Sequence, residues 1–170
     1  MKEGPRGRGR MMPEDAYESS VRRTYEDFET GDLDLLGVVM AHEVVWHEPG
    51  RSDLAGDYRG PNEVLGFLRE LKARTGGTFK IEVLDVLSEP GRVVVFQRET
   101  AMKHEKVLDL VAAVDFEIHN GKITEVTVYQ NDAYAFDEFW TDDSGTEDNM
   151  EDIESELESS TREAGVGFLP

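Results

Sequence analysis

The chain contains no cysteine, which excludes disulfides and thiolate metal sites. Its four histidines, His42, His47, His104 and His119, lie in different segments without short ligand spacing, so no metal and no other cofactor is expected. No phosphate loop and no nucleophile elbow is present. No apolar run approaches the ~20 residues of a membrane-spanning helix, so no membrane partner is expected. Positive charge is scarce: 18 Lys and Arg stand against 37 Asp and Glu, a net charge of −19. Such a chain repels nucleic acid, and no basic stripe offsets the repulsion. The first ten residues are rich in Gly and Arg with no apolar stretch behind them. No secretory leader is therefore expected, and the default location is the cytoplasm.

The chain's 170 residues suffice for one domain with tails. Charge and composition place the boundaries. Residues 1–12 are basic and Gly-rich, and a disordered start is expected there. Residues 13–140 carry nearly all the core-forming side chains. Residues 141–163 form an acidic, serine-rich stretch with the composition of a disordered linker. Residues 164–170 close the sequence with an apolar segment, Ala164-Gly165-Val166-Gly167-Phe168-Leu169-Pro170.

Within 13–140, apolar spacing predicts helices first and strands afterwards. Tyr17, Val21, Thr24, Tyr25 and Phe28 recur at helical spacing between Pro13 and Thr30, with Gly31 as the stop. Asp32 is read as the cap of a short second helix, Leu33 to about Ala41. Glu43 to Glu48 alternates as a strand, with Val44 and Trp46 on one face and Val45 and His47 on the other. Arg51 to Gly60 is read as a loop. Pro61 to Thr75 forms a third helix with Val64, Leu65, Leu68 and Leu71 inward, ended by Gly76-Gly77. Strands follow over Thr78–Leu87, Arg92–Met102, Val107–His119 and Ile123–Gln130. Asn120-Gly121 marks a hairpin turn. Ala133 to Trp140 is a last helical turn. This order predicts an α+β domain, whose antiparallel sheet must curl over the helices to bury both apolar faces. The space between them is a natural pocket.

Several motifs then converge on a known family. They are Gly31-Asp32-Leu33, Val45-Trp46-His47-Glu48-Pro49-Gly50, Leu54-Ala55-Gly56-Asp57-Tyr58-Arg59-Gly60, Gly121-Lys122-Ile123-Thr124-Glu125-Val126, and Asp132-Ala133-Tyr134-Ala135-Phe136-Asp137-Glu138-Phe139-Trp140. Over about Ala16 to Trp140 the sequence resembles the SnoaL-like polyketide cyclase group of the nuclear-transport-factor-two-like superfamily. The resemblance implies a cone-shaped domain with a deep apolar pocket for a small hydrophobic ligand, dimerised through its sheet. It does not imply one chemistry, because the superfamily holds isomerases, cyclases, dehydratases, epoxide hydrolases and plain binding proteins.

The candidate catalytic residues are His47 and Asp132. An imidazole titrates near neutrality and suits proton transfer; the alternative for His47 is a hydrogen bond to a neighbouring strand. Asp132 matches a recurrent position of the subgroup, where an apolar pocket would raise its pKa; the alternative is a helix cap. The candidate substrate-binding residues are Tyr25, Trp46, Gln97 and Gln130. Regular alternation forbids Trp46 and His47 from facing the same side. Gln97 and Glu99 share a strand face, which is a pocket wall if concave and a solvated or dimer surface if convex.

At the C-terminus, Val166-Gly167-Phe168-Leu169 resembles the short signals that load cargo into encapsulin nanocompartments. That likeness implies docking to an encapsulin shell through Val166, Gly167, Phe168 and Leu169, and hence an address inside such a compartment. Three functions remain open: a cofactor-free isomerase, cyclase or dehydratase using acid–base chemistry; a non-catalytic ligand-binding protein; or an encapsulin cargo protein.

Overall fold

The computed structural model describes residues 14–141. The basic start expected over 1–12 lies outside the described residues. So do the linker expected over 141–163, apart from Thr141, and the docking segment 164–170.

Helix α1 (Glu14–Thr30) buries Val21 and Phe28, two turns apart on one face. It stops at Gly31, whose φ of 82° suits a residue without Cβ. Helix α2 (Leu33–Val39) follows; Asp32 stands at its N-cap without a side-chain capping bond. Strand β1 (Met40–Glu48) starts three residues earlier than its alternation alone suggested. The predicted loop Arg51–Gly60 contains a short strand, β2 (Gly56–Arg59), paired antiparallel to β1. Helix α3 (Gly60–Arg74) buries Val64, Leu65, Phe67, Leu68 and Leu71. Gly77 closes it with an N–H bond to the Lys72 carbonyl at 2.8 Å. Strands β3 (Lys80–Glu89), β4 (Arg92–Lys103), β5 (Lys106–His119) and β6 (Lys122–Gln130) then run as a meander, followed by helix α4 (Ala133–Trp140).

The domain is α+β, as the pattern predicted. Its six strands form one curved, unclosed sheet in the order β2-β1-β6-β5-β4-β3. Four of the five strand pairs are antiparallel; β1 and β6 are parallel, with Trp46 opposite Val126. The long excursion through α3 and the meander makes that parallel return possible. The register puts Val93, Val95, Gln97 and Glu99 of β4 on the concave face with Ala112, Val114 and Phe116 of β5. Helices α1 and α3 lie over that face: Tyr25 meets Phe116 edge-on at 6.3 Å, and Trp46 meets Phe67 at 5.8 Å. No helix among the described residues is long and apolar enough to cross a membrane.

Candidate functional site

A cavity opens between the concave face and the helices. It holds about 680 Å³ of empty space, part of it continuous with solvent. The wall is mainly apolar and aromatic, with Phe28, Phe67, Phe79, Phe116 and Phe136 among its residues. Its polar members are Thr24, Tyr25, Trp46, Glu48, Gln97 and Glu99; none is Lys, Arg or His.

Two carboxyl groups dominate this polar patch. Glu48 ends β1, one pleat repeat after Trp46, and is 7% exposed. Its Oε2 accepts a bond from Trp46 Nε1 at 3.1 Å, and its Oε1 accepts one from Gln130 Nε2 at 3.1 Å. Glu99 stands on β4, one pleat repeat after Gln97, and is 5% exposed. Gln97 Nε2 donates to its Oε1 at 2.6 Å, while Gln97 Oε1 accepts from the Tyr25 hydroxyl at 2.6 Å. A chain of hydrogen bonds therefore runs from α1 through Gln97 to Glu99.

Burial without a cation sets the protonation of both groups. Loss of water pushes Glu48 up to about 8; the Glu99 charge adds to that rise, and the Trp46 bond partly offsets it. Burial pushes Glu99 up to about 7, against the opposing Gln97 bond. Burial and the Glu99 charge also raise the Tyr25 phenol. Two carboxyls that sense one another and titrate near neutrality can hold one proton between them while the other group stays ionised. Such a pair can donate a proton and accept one at the same pH.

The loop that follows Glu48 is held in place by α4. Asp137 Oδ1 accepts the backbone N–H groups of Arg51 and Ser52 at 2.8 and 2.9 Å. It lies so close to Gly50 (φ 117°) that a Cβ there would stand 2.4 Å from it. On the other flank, Tyr58 stacks on Phe67 at 4.4 Å and donates to the Leu54 carbonyl at 2.7 Å.

The residues expected from sequence are divided by this geometry. Tyr25, Trp46 and Gln97 line the cavity, and Gln130 reaches Glu48 from β6. His47 and Asp132 do not line it. His47 points to the opposite face of β1, where Nδ1 meets Asp57 at 2.7 Å and Nε2 meets Glu125 at 3.2 Å. Strand alternation puts it there, because Trp46 takes the inner position. Asp132 is exposed and accepts the Ala135 N–H at 3.0 Å, which is a helix-capping bond. Glu48 is absent from the sequence-based candidates, and Glu99 enters them only as a group of the pocket wall should its strand face be concave, which it is. The available signal was the two-residue period: Trp46 with Glu48, and Gln97 with Glu99.

A model of the SnoaL-like domain matches residues 21–126. The chain belongs to the SnoaL-like family. Structures of the nuclear-transport-factor-two-like superfamily share its fold. An uncharacterised protein of Mycobacterium tuberculosis is 35% identical over 130 residues, which cover 76% of this chain and 99% of that one. The structure of Bal32a, from a soil-derived mobile gene cassette, is 36% identical with a TM-score of 0.73, over 75% of this chain and 98% of that one. A protein of Jannaschia named as a candidate SnoaL-like polyketide cyclase is 16% identical with a TM-score of 0.61, over 75% of this chain and 92% of that one; it shares the fold. The motifs around Trp46–Gly50 and Asp132–Trp140 thus serve this SnoaL-like domain as framework: a strand end beside the cavity, and a helix that ties down the loop after it.

Proposed function

We propose that the cavity binds a small hydrophobic molecule and moves a proton on it, with Glu48 and Glu99 as the acid–base pair. The supporting observation is that both carboxyls are buried in one apolar cavity with pKa values raised to the neutral range. An ionised carboxylate there is a stronger base than one in water, and its protonated neighbour can donate to a substrate oxygen or nitrogen. Trp46 and Gln130 hold Glu48; Tyr25 and Gln97 hold Glu99. Isomerisation, cyclisation and dehydration all need such a proton shift next to a polarised double bond. The roles expected of His47 and Asp132 pass in this reading to Glu48 and Glu99.

The test is solvent-deuterium exchange into the C–H groups beside the polarised bond of small apolar ketones and cyclic imines. Expected is exchange that falls by about 10²–10⁴ in Glu48→Gln or Glu99→Gln and is unchanged in His47→Gln and Asp132→Asn. Binding without exchange would instead make the domain a non-catalytic carrier.

A homodimer is part of the proposal. The convex face exposes Leu87, Met102, Val107, Val111 and Tyr129, an apolar surface suited to a second copy. Sedimentation that yields a monomer at all concentrations would refute it. Docking to an encapsulin shell rests on the Val166–Leu169 sequence alone. Deletion of residues 164–170 should abolish co-purification with a co-expressed shell; unchanged co-purification sinks that idea.

A further inference from the structure

Apart from the protons the two carboxyls themselves carry, the donors of the cavity's polar patch are already engaged within it. The Tyr25 hydroxyl, the Trp46 indole and the amides of Gln97 and Gln130 each donate within the patch, three of them onto the two carboxyls. Gln130 Oε1 is buried and has no hydrogen-bond partner. Neither Glu48 nor Glu99 has an ion-pair partner among the described residues, and no basic side chain lines the cavity. Lys103, on the same face of β4, donates to the Trp140 carbonyl at 3.3 Å. Around this patch stand the rings of Phe28, Phe67, Phe79, Phe116 and Phe136. Buried carboxyls without a cation favour a ligand that brings one, and aromatic faces offset part of a cation's desolvation cost.

We propose that the ligand carries a basic nitrogen on an apolar body, an amine or cyclic imine bound as its cation against Glu48 and Glu99. The inference rests on the reading of the cavity as a small-molecule site and narrows it to one ligand class. It excludes carboxylate ligands, which would meet two acids and no base. The titratable groups that face the pair are Tyr25 from α1, Tyr58 from β2 and each carboxyl for the other. The helix α3 and strand β3 residues of the cavity wall are apolar. When both carboxyls are protonated, binding of a cation therefore releases one of their protons to solvent.

Calorimetry on the full chain with 2-phenylethylamine, 2-phenylethanol and phenylacetate tests this, since the three share one skeleton. At neutral pH the amine should bind about tenfold or more tightly than the alcohol, and the acid not at all. Amine affinity should rise by up to about tenfold per pH unit from about pH 5 to about pH 7, as each bound cation displaces one carboxyl proton; alcohol affinity should not. In the Glu48→Gln, Glu99→Gln double variant the preference for amine should vanish while the alcohol still binds, which also reports an intact cavity. Alcohol or acid binding as tightly as the amine overturns the proposal and leaves the small-molecule cavity standing, as does an amine affinity flat with pH. Failure of all three probes to bind overturns both.

Discussion

Glu99 on β4 and Asp109 on β5 are carboxyl groups on adjacent strands, one on each face of the same sheet. Asp109 faces outward and accepts two bonds from Arg98 at 2.7 and 2.6 Å; that contact lowers its pKa below the usual range. Glu99 faces inward, is bonded only to the neutral Gln97 amide, and rises to about 7. The two faces of β1 differ in the same way. His47 is pinned outside between Asp57 and Glu125, while Glu48 is buried inside against an indole and an amide. Side-chain type does not decide which group can exchange protons near neutral pH. Water access and the presence of a counter-charge decide it. On the convex face Asp109 and His47 meet opposite charges, whereas on the concave face Glu48 and Glu99 have no counter-charge among the described residues.

The largest test of this contrast is in packing. Phe116→Ala on the concave face, 2% exposed, should cost about 3–5 kcal/mol in urea unfolding. Tyr129→Ala on the convex face, 58% exposed, should stay within about 0.5 kcal/mol at concentrations where the chain is monomeric. Similar costs for the two would erase the distinction between the faces.

Next comes the pH dependence of stability. The folded pKa values of Glu48 and Glu99 lie above their unfolded values, so the native state binds more protons from about pH 4.5 upward. Their contribution is fully present below the unfolded pKa and declines as pH rises through the folded values of about 7 and 8. Glu48→Gln should flatten that decline and stabilise the domain by roughly 2–4 kcal/mol at about pH 9, read as the shift in urea midpoint. A decline that persists in Glu48→Gln and Glu99→Gln alike would place its cause elsewhere.

A smaller effect is expected in the loop after β1. Gly50→Ala forces a side chain into a left-handed φ of 117° and against Asp137, and should cost about 1–3 kcal/mol. Asp137→Asn should loosen the same loop, seen as faster amide exchange at Arg51 and Ser52, whose N–H groups it holds. The smallest effect belongs to the convex pairs: Asp109→Asn should leave the urea midpoint at neutral pH unchanged within error, because both partners are exposed.

Much of this architecture was legible. The α4 boundaries, Ala133–Trp140, matched the predicted turn, and each predicted strand was present with its ends moved by a few residues. Helical spacing and strand alternation are local properties, and a short window carries them. Strand β2 was missed because Gly56–Arg59 is four residues long, mostly polar, and has no periodicity to read. The parallel pairing of β1 with β6 was missed because a strand's own pattern does not name its neighbour. At the site, parity correctly separated Trp46 from His47. The choice of His47 and Asp132 as proton carriers followed residue chemistry and family position, whereas the cavity holds Glu48 and Glu99.

The sequence by itself determined the family, through motifs spread from Gly31 to Trp140, and, through its periodicity, the order of helices and strands and which side chains share a face. Only the tertiary structure decided which face is concave. β1 and β4 are separated in the sheet by β6 and β5, and no spacing in the chain relates Glu48 to Glu99. The sheet's curvature and the helices closing over it bring the two carboxyls into one cavity. Their removal from water shifts both toward neutrality, and that depends on everything packed around them rather than on the residues beside them in sequence.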